Sequence, residues 1–155
     1  MGYAVIKAEG ELLSYVECGV ISASAGGEKY ARLAVIGGEL ANVIGELKPD
    51  VCAMEAGFIG KVGGKFQQGA LVSAASRGVA GFVAARCGLR VVEYAPATVK
   101  LAATGKGNAD KALVAKMVKL TLCLQKEPEP DAADALAIAI AHARALVAER
   151  RRATA

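Results

Sequence analysis

Along this chain the spacing of apolar residues switches between the two-residue period of strands and the longer period of helices, and the switches mark out the elements. Gly2-Tyr3-Ala4-Val5-Ile6-Lys7 and Leu12 to Ile21 predict two strands, joined as a hairpin by the short Ala8-Glu9-Gly10-Glu11 turn. Over residues 28–47 the period becomes helical, with Leu33, Ile36, Leu40, Val43 or Ile44, and Leu47 on one face; Pro49-Asp50 stops the helix. Val51-Cys52-Ala53-Met54-Glu55 is a short apolar strand ending on an acid. Gly57, Gly60, Gly63 and Gly64 then make a loop that also holds Phe58, Lys61 and Lys65. A long helix is predicted over about residues 66–87, followed by a strand from Leu89 to Tyr94. Pro96 opens a short helix through Ala103, Thr104-Gly105-Lys106-Gly107-Asn108 reads as a tight loop, and Ala109 to Leu122 as another helix. A polar connector from Gln125 to Pro130 leads to a terminal helix that ends in Arg150-Arg151-Arg152.

The resulting order is β-β-α-β-α-β-α-α-α, with no internal repeats. Strands separated by helices predict an α/β fold with parallel members and helices on the faces, and the hairpin makes the sheet mixed. The strand Val51–Glu55 is expected to be central, because it is apolar at nearly every position. A chain of 155 residues is one domain with room for a sizeable core.

Composition narrows the setting. The apolar fraction is 54%, much of it Ala and Gly, yet no uninterrupted apolar stretch is long enough to span a membrane. Lys7, Glu9 and Glu11 interrupt any secretory hydrophobic region near the start. Cys18, Cys52, Cys87 and Cys123 are scattered with no C-x-x-C, and the first three lie in apolar segments, so buried reduced thiols and a cytoplasmic location are expected. The net charge of +4 permits a nucleic-acid partner without demanding one.

The candidate chemistry is carboxylate chemistry. Pro130-Asp131-Ala132-Ala133-Asp134 opens an otherwise apolar helix, and a spacing of three puts both acids on one face. Carboxylates there either complement the helix dipole or hold a hard cation. Glu55, at the end of an apolar strand, stands where α/β sheets place ligands, though a solvated strand end has the same appearance. If the three converge, a set without His or Cys favours Mg²⁺, with Mn²⁺ as a substitute, over Zn²⁺. His142 lies about 12 Å along the axis from Asp134, too far to share that metal, and reads as a helix-surface residue. Such a cluster suits phosphodiester hydrolysis, two ions about 3.5–4 Å apart activating water and stabilising the leaving oxygen. Phe58 offers a flat surface for a splayed base, and Lys61, Lys65, Arg77, Lys100, Lys106 and Lys111 are candidate phosphate contacts, each otherwise a solvated surface charge.

These residues resemble the RuvC-type Holliday-junction resolvases of the RNase H-like superfamily. The matching segments are Gly2-Tyr3-Ala4-Val5-Ile6, Met54-Glu55 with Phe58 and Lys61, Ser76-Arg77-Gly78-Val79, and Glu93-Tyr94-Ala95-Pro96. They continue with Val99-Lys100, Gly105-Lys106-Gly107, Ala109-Asp110-Lys111 and Asp131 to His142. The resemblance covers essentially the whole chain in order. It implies a single RNase H-like nuclease domain over residues 1–155 and a homodimer that cuts four-way DNA junctions symmetrically, alongside a branch-migration motor, in recombination and repair. It implies that Glu55, Asp131 and Asp134 are three of four acidic ligands for two Mg²⁺ per subunit. Phe58 matches an aromatic that engages bases near the crossover, and Lys100 and Lys111 match basic residues near the active site.

The chain departs from that pattern at its start. Relatives begin with a strand bearing an Asp-Pro-Gly-like motif whose Asp is the first metal ligand, and here Met1 directly precedes the Gly-Tyr strand. A shortened or mis-started chain, and a genuine junction-binding module without catalysis, are both open on this reading. Leu113 is a second departure, standing where relatives often carry a polar residue. A relative acting on RNA or RNA–DNA hybrids is a third reading, ranked below the other two because the loop and lysine segments also match.

Overall fold

The computed structural model describes residues 1–24, 26–57 and 68–154. Its elements are β1 (Gly2–Glu9), β2 (Leu12–Val20), α1 (Lys29–Leu47), β3 (Val51–Glu55), α2 (Gln68–Arg86), β4 (Arg90–Tyr94), α3 (Pro96–Thr104), α4 (Lys111–Thr121) and α5 (Pro130–Ala153). Every predicted element is present, in the predicted order. Two units emerge from the packing. One comprises Met1 and the described residues of Ile21–Cys52 and Ala56–Val92; the other comprises Gly2–Val20, Ala53–Glu55 and the described residues from Glu93 onward.

The second unit is organised around α5. β1 and β2 pair antiparallel from Gly2↔Val20 to Glu9↔Leu12, with a bulge after Val5 that leaves Val16 as the extra residue. Ala4 and Ile6 of β1, with Leu13 and Cys18 of β2, pack against the core. Tyr3, Lys7 and Glu9 alternate with them, and their contacts stay within the hairpin: Tyr3 Oη donates to Glu17 at 2.7 Å, and Lys7 pairs with Glu9 at 2.6 Å. Val99 and Ala103 of α3, Val114 and Val118 of α4, and Leu136, Ala137, Ile140 and Ala141 of α5 form the core itself. Each large member contributes about 1.5–3 kcal/mol by leaving water, while the alanines let α5 approach its neighbours closely. Asp110 caps α4 through its carboxylate, which accepts from Leu113 N at 2.8 Å, so this helix starts at Lys111 rather than at the expected Ala109.

In the first unit α1 packs against α2. Glu28 caps α1 by accepting from the Tyr30 and Ala31 amides at 3.1 Å. Lys48, left-handed at φ 46°, closes the other end by donating to the Ile44 carbonyl at 2.9 Å.

Three expectations are corrected. Among the described residues the strands pair β1 with β2 and β3 with β4. Among the described residues β3 therefore has one strand partner and is not central, and Val51–Met54 are half-buried. Cys87 is exposed, because α2 ends at Arg86 and leaves it in the following turn; Cys18 and Cys52 are partly buried, and all four cysteines are free. His142 is buried rather than at the surface, since α5 is covered on nearly every side from Leu136 to Ala143.

Candidate active site

The two aspartates sit where the sequence places them. Pro130 occupies the first turn of α5, Asp131 follows it, and Asp134 lies one turn further on the same face. Ala132 and Ala133 between them are buried, which turns the carboxylates to the open side; Asp131 is exposed and Asp134 half-buried. Asp131 is also favoured electrostatically by the positive end of the helix. Glu55, exposed at the end of β3, belongs to the same unit.

Lys111 pairs with one of these acids and lies in the field of the other two. Placed at the first turn of α4 by the Asp110 cap, its Nζ lies 3.0 Å from Asp134 Oδ2. The hydrogen bond it donates to Asp134 holds the ammonium pKa above its ordinary value, followed by the charge of Asp134 and then those of Asp131 and Glu55. One cation thus feels all three carboxylates. The pair is exposed, so its value to stability is at most about 1 kcal/mol. Sequence reasoning found no base adjacent to the acids; this one lies 23 residues away in the chain.

The donors are carboxylates only, which suits a hard divalent cation, and a positive charge already stands among them. Among the described residues no three His, Cys, Asp or Glu side chains are close enough to hold a metal ion as they stand. The fit is one of donor chemistry alone, with the Lys111 ammonium paired to Asp134.

The other basic candidates divide. Lys100 is half-buried on α3 and Lys106 exposed in the loop after it. Thr104 links them, its Oγ1 donating to the Lys100 carbonyl at 2.8 Å and accepting from Lys106 N at 3.0 Å. Arg144 of α5 donates to the Ala102 carbonyl and pins the same end of α3. Arg77 belongs to the other unit, where its guanidinium lies against the backbone of Gly57 so closely that any Cβ there would overlap it. Phe58 and Lys61 lie outside the described residues. Tyr94 and His142, hydrogen-bonded at 2.8 Å through Nδ1, join the end of β4 to the middle of α5. Thr104, Arg144 and this pair were not identified from sequence; only the Thr104-Gly105 helix ending carried a local signal, that of a C-cap.

The family profile described as crossover junction endodeoxyribonuclease RuvC matches residues 1–142. The chain belongs to that family. Among curated relatives, the crossover junction endodeoxyribonuclease RuvC of Chloroflexus aggregans is 42% identical over 128 residues, covering 83% of this chain and 76% of the relative. That of Methylocella silvestris is 40% identical over 122 residues, covering 79% and 67%. In three dimensions the chain is similar to Thermus thermophilus RuvC, with a TM-score of 0.81, 28% identity, and coverage of 95% of this chain and 88% of that one. It is also similar to T. thermophilus RuvC in complex with a Holliday junction substrate, with a TM-score of 0.83, 28% identity, and coverage of 96% and 88%. The expected RNase H-like α/β architecture and nuclease family are therefore established. Among the described residues no helix is long and apolar enough to cross a membrane.

Proposed function

We propose that this RuvC-family chain cuts four-way DNA junctions by Mg²⁺-dependent phosphodiester hydrolysis, with Glu55, Asp131 and Asp134 as metal ligands. The observation that carries the reading is the placement of Lys111 against Asp134, within the field of Asp131 and Glu55. When bound, divalent metal supplies an activated water and charge stabilisation at the scissile phosphate. The chain's own part is to orient the acids, Asp131 and Asp134 on a helix face, Glu55 at a strand end. Lys111 neutralises Asp134 in this structure, and with Asp134 engaged by a metal its ammonium would be available to a phosphate oxygen. Lys100 and Lys106, on a helix end stiffened by Thr104, contact the DNA backbone. Phe58, Lys61 and Arg77 complete the proposed DNA contacts.

Cutting two opposed strands symmetrically requires two such sites, which supports a homodimer with two-fold symmetry. A cytoplasmic location and cooperation with a branch-migration motor belong to the same reading.

The test is a labelled four-way junction incubated with the chain and Mg²⁺, then with a chelator. Paired nicks in opposed strands that vanish on chelation are expected; an uncut junction in Mg²⁺ contradicts the reading. One observation favours a second reading, a junction-binding module without catalysis: among the described residues no three His, Cys, Asp or Glu side chains stand close enough to share an ion. Binding that survives chelation, with no nicking, identifies that case.

A further inference from the structure

Gly2 of β1 lies directly against the acid-bearing turn of α5. A Cβ built there would overlap the carbonyl carbon and oxygen of Asp131 and come within 3.0 Å of Ala132 N. The demand is for space alone, since Gly2 does not adopt the left-handed conformation. Backbone meets backbone here, with no layer of side chains between. Gly2 is fixed in turn by its pairing with Val20, and the alanines at 132 and 133 are buried, so this turn has little freedom to retreat.

We propose that Gly2 is a positioning residue, whose missing side chain sets how deeply the first turn of α5 seats on β1 and thereby the placement of Asp131 and Asp134 for a divalent cation. This rests on the proposed metal-ligand role of those acids. A methyl group at Gly2 must push the Asp131 backbone away, and both carboxylates ride on that turn. The consequence falls on cation affinity more than on DNA binding, because Lys100 and Lys106 belong to α3 and its loop and are not carried by this turn.

The experiment titrates Mn²⁺ into the full chain without DNA, read by water-proton relaxation, for the natural sequence, Gly2→Ala and Ile6→Ala. Ile6→Ala loosens the same strand against the core without touching Asp131. Gly2→Ala is expected to weaken Mn²⁺ binding about tenfold, as loss of support behind a ligand does, and to leave junction affinity within about twofold. Ile6→Ala should lower the melting temperature and leave Mn²⁺ affinity unchanged. Equal Mn²⁺ affinity in Gly2→Ala and the natural chain overturns the proposal, as does an equal loss in Ile6→Ala, or no Mn²⁺ binding in the natural chain. Failure of the function reading looks different: Mn²⁺ bound and sensitive to Gly2→Ala, with the junction uncut.

Discussion

The two units of this protein use their long helices in opposite ways. α5 is enclosed from Leu136 to Ala143, and Leu136 and Ile140 are 0% exposed. Of the described side chains of α2, only Ala80 and Ala84 are buried, while Val72 and Phe82 face outward, Phe82 at 62% exposed. An enclosed helix has one place to be, and any group on it inherits that precision. Asp131 and Asp134 are carried by the enclosed helix. The proposed role of those acids as metal ligands demands such precision, whereas a helix packed by alanine on one side tolerates change.

The sharpest way to break the comparison is to open the enclosed helix. Leu136→Ala should cost about 3–5 kcal/mol of stability, the range for a large side chain in a core that cannot collapse. Phe82→Ala should cost no more than about 0.5 kcal/mol. Denaturant unfolding of both variants checks this, and similar losses would mean the two helices are alike. Next in size, Lys100→Ala should weaken junction binding and reduce the slope of log affinity against log salt by about 0.9, one phosphate contact. An unchanged slope removes Lys100 from the DNA surface. Smaller again, Lys111→Met should change stability by less than about 1 kcal/mol, because the pair is exposed.

Much of this was legible in the chain. The hairpin and α1 follow from periodicity, and the facing aspartates follow from their spacing of three. What was not legible depends on contacts between distant residues. Lys111 was placed near the acids only by the family resemblance, since no local pattern joins it to Asp134 across 23 positions. His142 looks like a surface residue until α5 is seen covered on nearly all sides and Tyr94 bonded to its ring. The strand pairing depends on partners, which an apolar strand pattern such as that of β3 does not specify. The start of α4 was misplaced because Asp110 caps the helix through its side chain, an effect of one residue that periodicity averages away.

The smallest effect concerns the hairpin. Glu17 accepts the Tyr3 hydroxyl, and mainly through that bond the phenol is pushed up from 10.0 to about 12. A folded pKa above the unfolded one stabilises below pH 10 and is lost as pH rises towards 12. The stability difference between the natural chain and Tyr3→Phe should therefore shrink over that window and stay constant below it. A difference that is flat through pH 12 would sever Tyr3 from Glu17.

The account rests most heavily on the carboxylates of the enclosed unit, and one assay reaches them directly. A labelled four-way junction is mixed with the natural chain and with Asp134→Asn in Mg²⁺, and bound and nicked DNA are scored from the same samples. The natural chain should nick opposed strands, and Asp134→Asn should bind with similar affinity and leave the strands intact. Nicking by Asp134→Asn at the natural rate, or a loss of binding as large as the loss of nicking, would contradict the claim that this helix turn carries the chemistry.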